Sequence, residues 1–162
     1  MKKHMKEKII FYILVILVTI CSSFAYNLQL VDSDFNVENI YLGQPISKAL
    51  SILGKPVKIK KASINDECKK YYYFPQMTIG ESRFYINKVG YICIFKKGIK
   101  TFRGLEIGDN ESDVINRYGK VVKSFDSLSY EKDYEPAYTK GISFVISEGK
   151  IKEIIISFRS TT

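Results

Sequence analysis

Ile46, Ala49, Leu50 and Leu53 recur at i, i+3, i+4 and i+7, which puts four apolar side chains on one face of a short helix. Pro45 suits its first turn, and Gly54 suits the left-handed residue that ends it. Further along, Gly108 and Gly119 frame a segment of the same length as Gly43 to Gly54. Within it Val114, Ile115 and Tyr118 take the places of Ala49, Leu50 and Leu53, and Asn110 and Asp113 suit a helix start. Elsewhere the period is two. Alternation predicts strands over residues 71–74, 83–87 and 91–95, with a turn at 88–90. It also predicts a hairpin of 142–147 and 151–158 around Glu148-Gly-Lys150. A further short helix or turn is expected near 63–67 and near 124–129. Helices of two to three turns are unstable alone, so both must lie on the sheet that these strands build.

The correspondence extends beyond the helices. Ile40-Tyr-Leu-Gly43 matches Leu105-Glu-Ile-Gly108 at an offset of 65, and Lys55 to Lys58 matches Lys120 to Lys123 at the same offset. Residues 83–87 match 143–147 at an offset of 60, which places a length change in the middle of the repeat. The expected fold class is α+β: two tandem helix-plus-antiparallel-meander repeats forming one curved sheet with helices on one face. The expected boundaries are a leader over 1–25, a polar lead-in over 26–39 that is mobile or an edge strand, repeat one over 40–98 and repeat two over 99–160.

Ile40-x-Leu42-Gly43 followed by Ala49-Leu50-x-x-Leu53-Gly54-Lys-Pro56 resembles the signature of the β-lactamase-inhibitor-protein-like fold, shared by the SmpA/OmlA-type outer-membrane assembly lipoproteins. Residues 99–109 look like the junction between two such units. The resemblance covers about residues 40–158. It implies two sheets side by side as one curved surface with helices on the convex side. It also implies activity by protein binding, as enzyme inhibition or as envelope scaffolding. Only fold positions carry over, because no inhibitory-loop motif matches.

The first 25 residues follow the logic of export: a cationic start to Lys8, an apolar run from Ile9 to Ile20, and small residues Ser23 and Ala25 before a cleavage site. The run is too short for the ~20 residues of a bilayer span, so cleavage is expected, with a retained anchor as the other reading. Ile20 before Cys21 argues against lipidation. The leader holds three of the eight net positive charges, so the remainder is moderately basic. Cys68 and Cys93 then remain, and in an oxidising compartment they form a disulfide or stay as two free thiols.

His4, in the leader, is the only histidine, so the mature chain lacks a His base or ligand. No glycine-rich phosphate loop is present, and Asp109-Asn-Glu111-Ser-Asp113 reads as helix capping rather than a Ca²⁺ loop. No catalytic, cofactor or metal residues are assigned, and an enzyme is not expected. The basic stretch 55–61 reads as a solvated loop, and nucleic acid is not an expected partner. The expected function is an exported protein-binding module of the envelope or exterior. A binder of anionic cell-wall polymer is the alternative, with membrane contact only through an uncleaved leader. The helices should cover the face formed by Phe84, Ile86, Ile92, Ile94, Phe144, Ile146, Ile154, Ile156 and Phe158. The opposite face then offers Tyr71, Tyr73, Arg83, Tyr85, Tyr91 and Phe95 to a partner, aromatic and Arg side chains being enriched at hot spots.

Overall fold

Residues 29–121 and 123–160 are described in this computed structural model. The leader expected over 1–25 lies outside them. Within them the chain runs through a 3₁₀ turn (Asp32–Phe35), β1 (Asn36–Val37), β2 (Ile40–Tyr41) and helix α1 (Ile46–Leu53). It continues with β3 (Lys58–Lys61), β4 (Cys68–Tyr73), β5 (Met77–Ser82), β6 (Val89–Ile94) and helix α2 (Glu111–Tyr118). The last three strands are β7 (Ser127–Glu135), β8 (Tyr138–Ser147) and β9 (Lys150–Ser160). Strands β3 to β9 form one antiparallel sheet in the order β3-β4-β5-β6-β9-β8-β7.

The α+β expectation is corrected by these proportions. Each helix has eight residues, against one continuous seven-stranded sheet, so the protein is mostly β. The helices form where expected, and each ends as its C-terminal glycine adopts positive φ, 79° at Gly54 and 91° at Gly119. At the start of α2 the Asp113 carboxylate accepts the Asn110 N–H at 3.1 Å. The helices bring Ala49, Val114 and Tyr118 into a core whose other members come chiefly from one side of the sheet, including Tyr72, Met77, Ile79, Ile92, Ile94, Phe144, Ile154 and Ile156.

The internal repeat is visible in the pairing. Met77–Ser82 corresponds to Ile142–Ser147 at an offset of 65, and both strands carry a register shift at the same place, Gly80/Glu81 and Val145/Ile146. The last strands correspond at an offset of 62, Ile92 with Ile154 and Ile94 with Ile156, and these four residues pair crosswise between β6 and β9. Cys93 faces Ile155 at the centre, so an approximate two-fold axis passes between them. The struts repeat too. Gly43 N–H donates to Val89 O at 2.8 Å and Gly108 N–H to Ile151 O at 2.9 Å, while Ile46 N–H reaches Asn87 O and Glu111 N–H reaches Gly149 O, each at 2.9 Å.

Three expectations change with this alignment. Residues 83–87 are the turn between β5 and β6 and not a strand; the strand is Met77–Ser82, whose Thr78 and Gly80 dilute its apolar signal. Phe84 and Ile86, expected in the core, are therefore 46% and 73% exposed, whereas Ile92, Ile94, Phe144, Ile146, Ile154, Ile156 and Phe158 are buried. The length differences fall in three places: the β5–β6 turn, the segment before β4, where repeat one inserts β3, and the following hairpin, where the paired Tyr73 and Thr78 of repeat one become the more widely separated Ser129 and Ser143 of repeat two. The described part of the lead-in is neither polar surface nor an edge of the main sheet. Leu30, Phe35 and Val37 are core residues, and β1 and β2 form a small hairpin of their own. Asp34 anchors it: fully buried, its carboxylate takes both arms of the Arg103 guanidinium at 2.7 and 2.8 Å.

Candidate functional site

Strand alternation sends the remaining side chains to the face away from the helices. Two rows cross all seven strands there. One runs Lys58, Tyr73, Thr78, Cys93, Ile155, Ser143, Ser129. The next runs Lys60, Tyr71, Gly80, Tyr91, Ser157, Gly141, Glu131. Lysines and tyrosines occupy the repeat-one end. The centre is small residues, with Thr78, Cys93, Ser143 and Ser157 each below a tenth exposed. At the far end hydroxyls link Ser127, Ser129 and Ser143, and the Arg159 guanidinium bridges Ser143 and Glu131.

The structure separates the six candidate interface residues. Tyr71, Tyr73 and Tyr91 are half-buried on β4 and β6, and Phe95 follows β6 in the same alternation. Tyr71 and Tyr91 meet edge to face at 5.6 Å across Gly80, and the Tyr71 hydroxyl donates to Asp66 at 2.6 Å. Burial and that carboxylate hold the Tyr71 phenol above its ordinary range, and burial does the same for Tyr91. A cleft of about 410 Å³ opens beside them, lined also by Ser63, Asn65, Asp66, Glu67 and Cys68. Arg83 and Tyr85 are elsewhere, in the β5–β6 turn. The Arg83 guanidinium donates to the carbonyls of Ser63, Asp66 and Cys68 and so staples the 63–68 loop. Tyr85 lies at 4.9 Å from Phe158, and its hydroxyl donates to Glu135 at 2.9 Å, joining the two repeats on the helix side.

The disulfide reading is corrected: Cys68 and Cys93 are free and buried. They sit on β4 and β6, with β5 between them. Two strand spacings, about 9.5 Å, exceed the ~7 Å that a disulfide spans between Cα atoms. Burial pushes the Cys68 thiol up to about 12 and the Cys93 thiol up to about 11. Thiols held neutral in this way are poor nucleophiles.

The repeat supplies an internal comparison that the sequence reading did not use. On the core side, equivalent positions stay apolar: Tyr72 with Leu128, Met77 with Ile142, Ile79 with Phe144, Val89 with Ile151. On the open side, Tyr71, Tyr73 and Tyr91 correspond to Ser127, Ser129 and Glu153. The fold thus accepts small or charged residues where repeat one carries tyrosine. The missed signal was the correct alignment of β4 with β7, hidden by the inserted β3.

No protein-family profile matches the chain. No curated protein matches it either. Among solved structures it is similar to an extracellular protein containing a SCP domain from Bacillus anthracis str. Ames, at 14% identity and a TM-score of 0.48. The alignment covers 80% of this chain and 47% of that one, so the chain spans about half of that protein's length. No helix among the described residues is long and apolar enough to cross a membrane.

Proposed function

We propose that this protein is an exported binding module whose partner is another protein, engaged through the repeat-one half of the open sheet face. The observation that carries the reading is the asymmetry just described. Tyr71, Tyr73 and Tyr91 stand on a rigid sheet at positions where the symmetric half of the same fold has Ser127, Ser129 and Glu153. Packing does not require aromatics there, and half-exposed tyrosines on a fixed backbone are the residue type that anchors interfaces at low entropic cost. The leader pattern and the resemblance to the β-lactamase-inhibitor-protein-like fold support the same reading.

The test is a photo-crosslinking amino acid placed at Tyr73 and, separately, at Ser129, its symmetric equivalent. A protein of the envelope or medium trapped from position 73, not from 129, and lost in a folded Tyr71→Ala/Tyr91→Ala background is the expected result. Equal trapping from both positions, or no loss in that background, removes this face from the function.

A further inference from the structure

Two strands of the seven-stranded sheet, β3 and β7, have no neighbour on their outer side among the described residues. In repeat one the edge of β4 is covered, because β3 pairs with residues 70–73. In repeat two the corresponding edge of β7 is bare. The Ile146 N–H donates to Asp126 O at 2.6 Å, so alternation turns Leu128, Tyr130 and Lys132 toward β8 and turns Ser127, Ser129, Glu131 and Asp133 outward. Ser124 satisfies both outward groups of Ser127, at 3.0 Å each. Nothing among the described residues meets the outward N–H and C=O groups of Ser129, Glu131 and Asp133. No proline interrupts this edge, and its register shift, between Asp133 and Glu135, falls past those three residues. A rim of this kind accepts another strand.

The two rims differ in charge. Strand β3 is Lys58-Ile-Lys-Lys61, exposed throughout and without an ion pair among the described residues, and Lys58 and Lys60 lie on its open face. The carboxylates that follow, Asp66 and Glu67, belong to the loop returning to β4. Strand β7 sets Glu131 and Asp133 on the open face, both exposed. The cations beside them are engaged. Arg159 bridges Glu131 and Ser143, and Lys132 points to the helix side and pairs with Asp32 at 3.1 Å. Asp133 has no cationic partner among the described residues. Glu131 and Asp133 against Arg159 leave the open side of the β7 rim negative, whereas that of the β3 rim is positive.

We infer that this protein assembles head to tail with further copies of itself, the β3 edge of one copy adding to the β7 edge of the next. Neighbouring strands are antiparallel throughout, so the first and last of the seven run the same way. Copies that face the same way therefore join β3 to β7 in parallel, with Lys58 beside Glu131 and Lys60 beside Asp133. On the helix side Ile59, 56% exposed in the single chain, comes beside Lys132 with Tyr130 and Tyr134 to either side. Pairing β7 with a second β7, or β3 with a second β3, sets like charges against each other. A head-to-tail contact does not close after two copies, so assembly grows with concentration. The inference stands apart from the tyrosine reading, because edge addition leaves the open face uncovered and repeats its tyrosines once per copy.

Sedimentation velocity of the full-length chain, in a nonionic detergent that keeps the leader soluble, tests this over a hundredfold range of protein concentration. The average mass is expected to rise past that of two copies. Glu131→Lys/Asp133→Lys and, separately, Lys58→Glu/Lys60→Glu should each raise the concentration of half-assembly at least about tenfold, with the circular dichroism spectrum unchanged. All four substitutions in one chain restore opposite charges across the contact, and assembly should return to within about threefold of the parent. Glu131→Pro gives a second test that does not depend on charge. Its lost N–H faces outward, so the ladder to β8 survives while the added strand loses its partner, and assembly should stop. A mass that stays at one copy throughout, or that stops at two, overturns the inference. So does assembly that none of these variants alters, which is the result that association through the leader would give.

Discussion

Arg103→Met isolates what holds the amino-terminal hairpin to the rest of the protein. The Asp34 side chain is fully buried and that of Arg103 is 11% exposed. The guanidinium spans both carboxylate oxygens and also donates to the Gln29 and Arg117 carbonyls, while its plane lies 4.5 Å from the Tyr118 ring centre. Methionine keeps much of the stem packing but leaves the carboxylate unpaired in the core. The Val31 N–H at 2.9 Å still reaches it, but a backbone amide does not replace an ion pair. Breaking one side of such a pair costs about 3–5 kcal/mol, against under about 1 kcal/mol for an exposed pair. With a urea slope of about 2 kcal/mol/M, the unfolding midpoint should fall by about 1.5–2.5 M. Asp34→Leu in the same background removes the orphaned charge and should recover at least half of the loss. Hydrogen exchange should localise the change to residues 31–42. A loss below about 1 kcal/mol, or no recovery in the double variant, refutes the claim that this pair is a desolvated anchor.

Gly80 lies between Cys68 and Tyr91, and a methyl group there would meet the Cys68 Sγ at 2.5 Å and Tyr91 Cβ at 3.0 Å. Gly80→Ala should destabilise by about 1–3 kcal/mol in thermal melts, and Cys68→Ala in that background should restore part of it. Folding raises both thiols from the ordinary 9.0, so the native state holds their protons more tightly than the unfolded chain does. Their contribution is therefore intact below about pH 9 and is lost as pH rises toward 11 to 12. Urea midpoints should drop between pH 8 and pH 10 by an amount equivalent to about 1 kcal/mol per thiol, and Cys68→Ala/Cys93→Ala should flatten that part of the profile. Tyr85→Ala removes a ring packed on Phe158, Tyr134 and Tyr138, and should cost about 2–4 kcal/mol, whereas Tyr73→Ala should leave the denaturation curve within about 1 kcal/mol of the parent.

Features carried by neighbours in the chain were legible in advance. Both helices are written in the spacing of Ile46, Ala49, Leu50 and Leu53, and of Val114, Ile115 and Tyr118, and both end at the glycines that the pattern singles out. The hairpin of β8 and β9 and the burial of Ile142, Phe144, Ile146, Ile154, Ile156 and Phe158 follow from a period of two, which the register shift at Val145/Ile146 interrupts between Ile151 and Ile154. The outward phase of Tyr71, Tyr73 and Tyr91 follows the same way once each strand has a buried partner side.

The expectation failed where a strand is made by its neighbours rather than by its own residues. Met77–Ser82 contains a threonine, a glycine, a glutamate and a serine, and it is central because β4 and β6 flank it. Residues 83–87 have the better strand composition, yet the chain must reverse between β5 and β6, and they become the turn. That one slip moved Phe84 and Ile86 out of the core and took Arg83 and Tyr85 off the open face. The cysteines show the same limit. Their sequence separation allows a bridge, but only the order of strands in the sheet sets a third strand between them. Sequence alone therefore determined the helices, the duplication and the alternation, because these depend on contacts within a few residues. The tertiary structure decided the join between repeats, the anchoring of the lead-in by Asp34 and Arg103, and which tyrosines remain on the surface. Those depend on hydrogen-bonded pairing and packing between distant segments, such as Asp34 and Arg103, 69 residues apart, which no local pattern encodes.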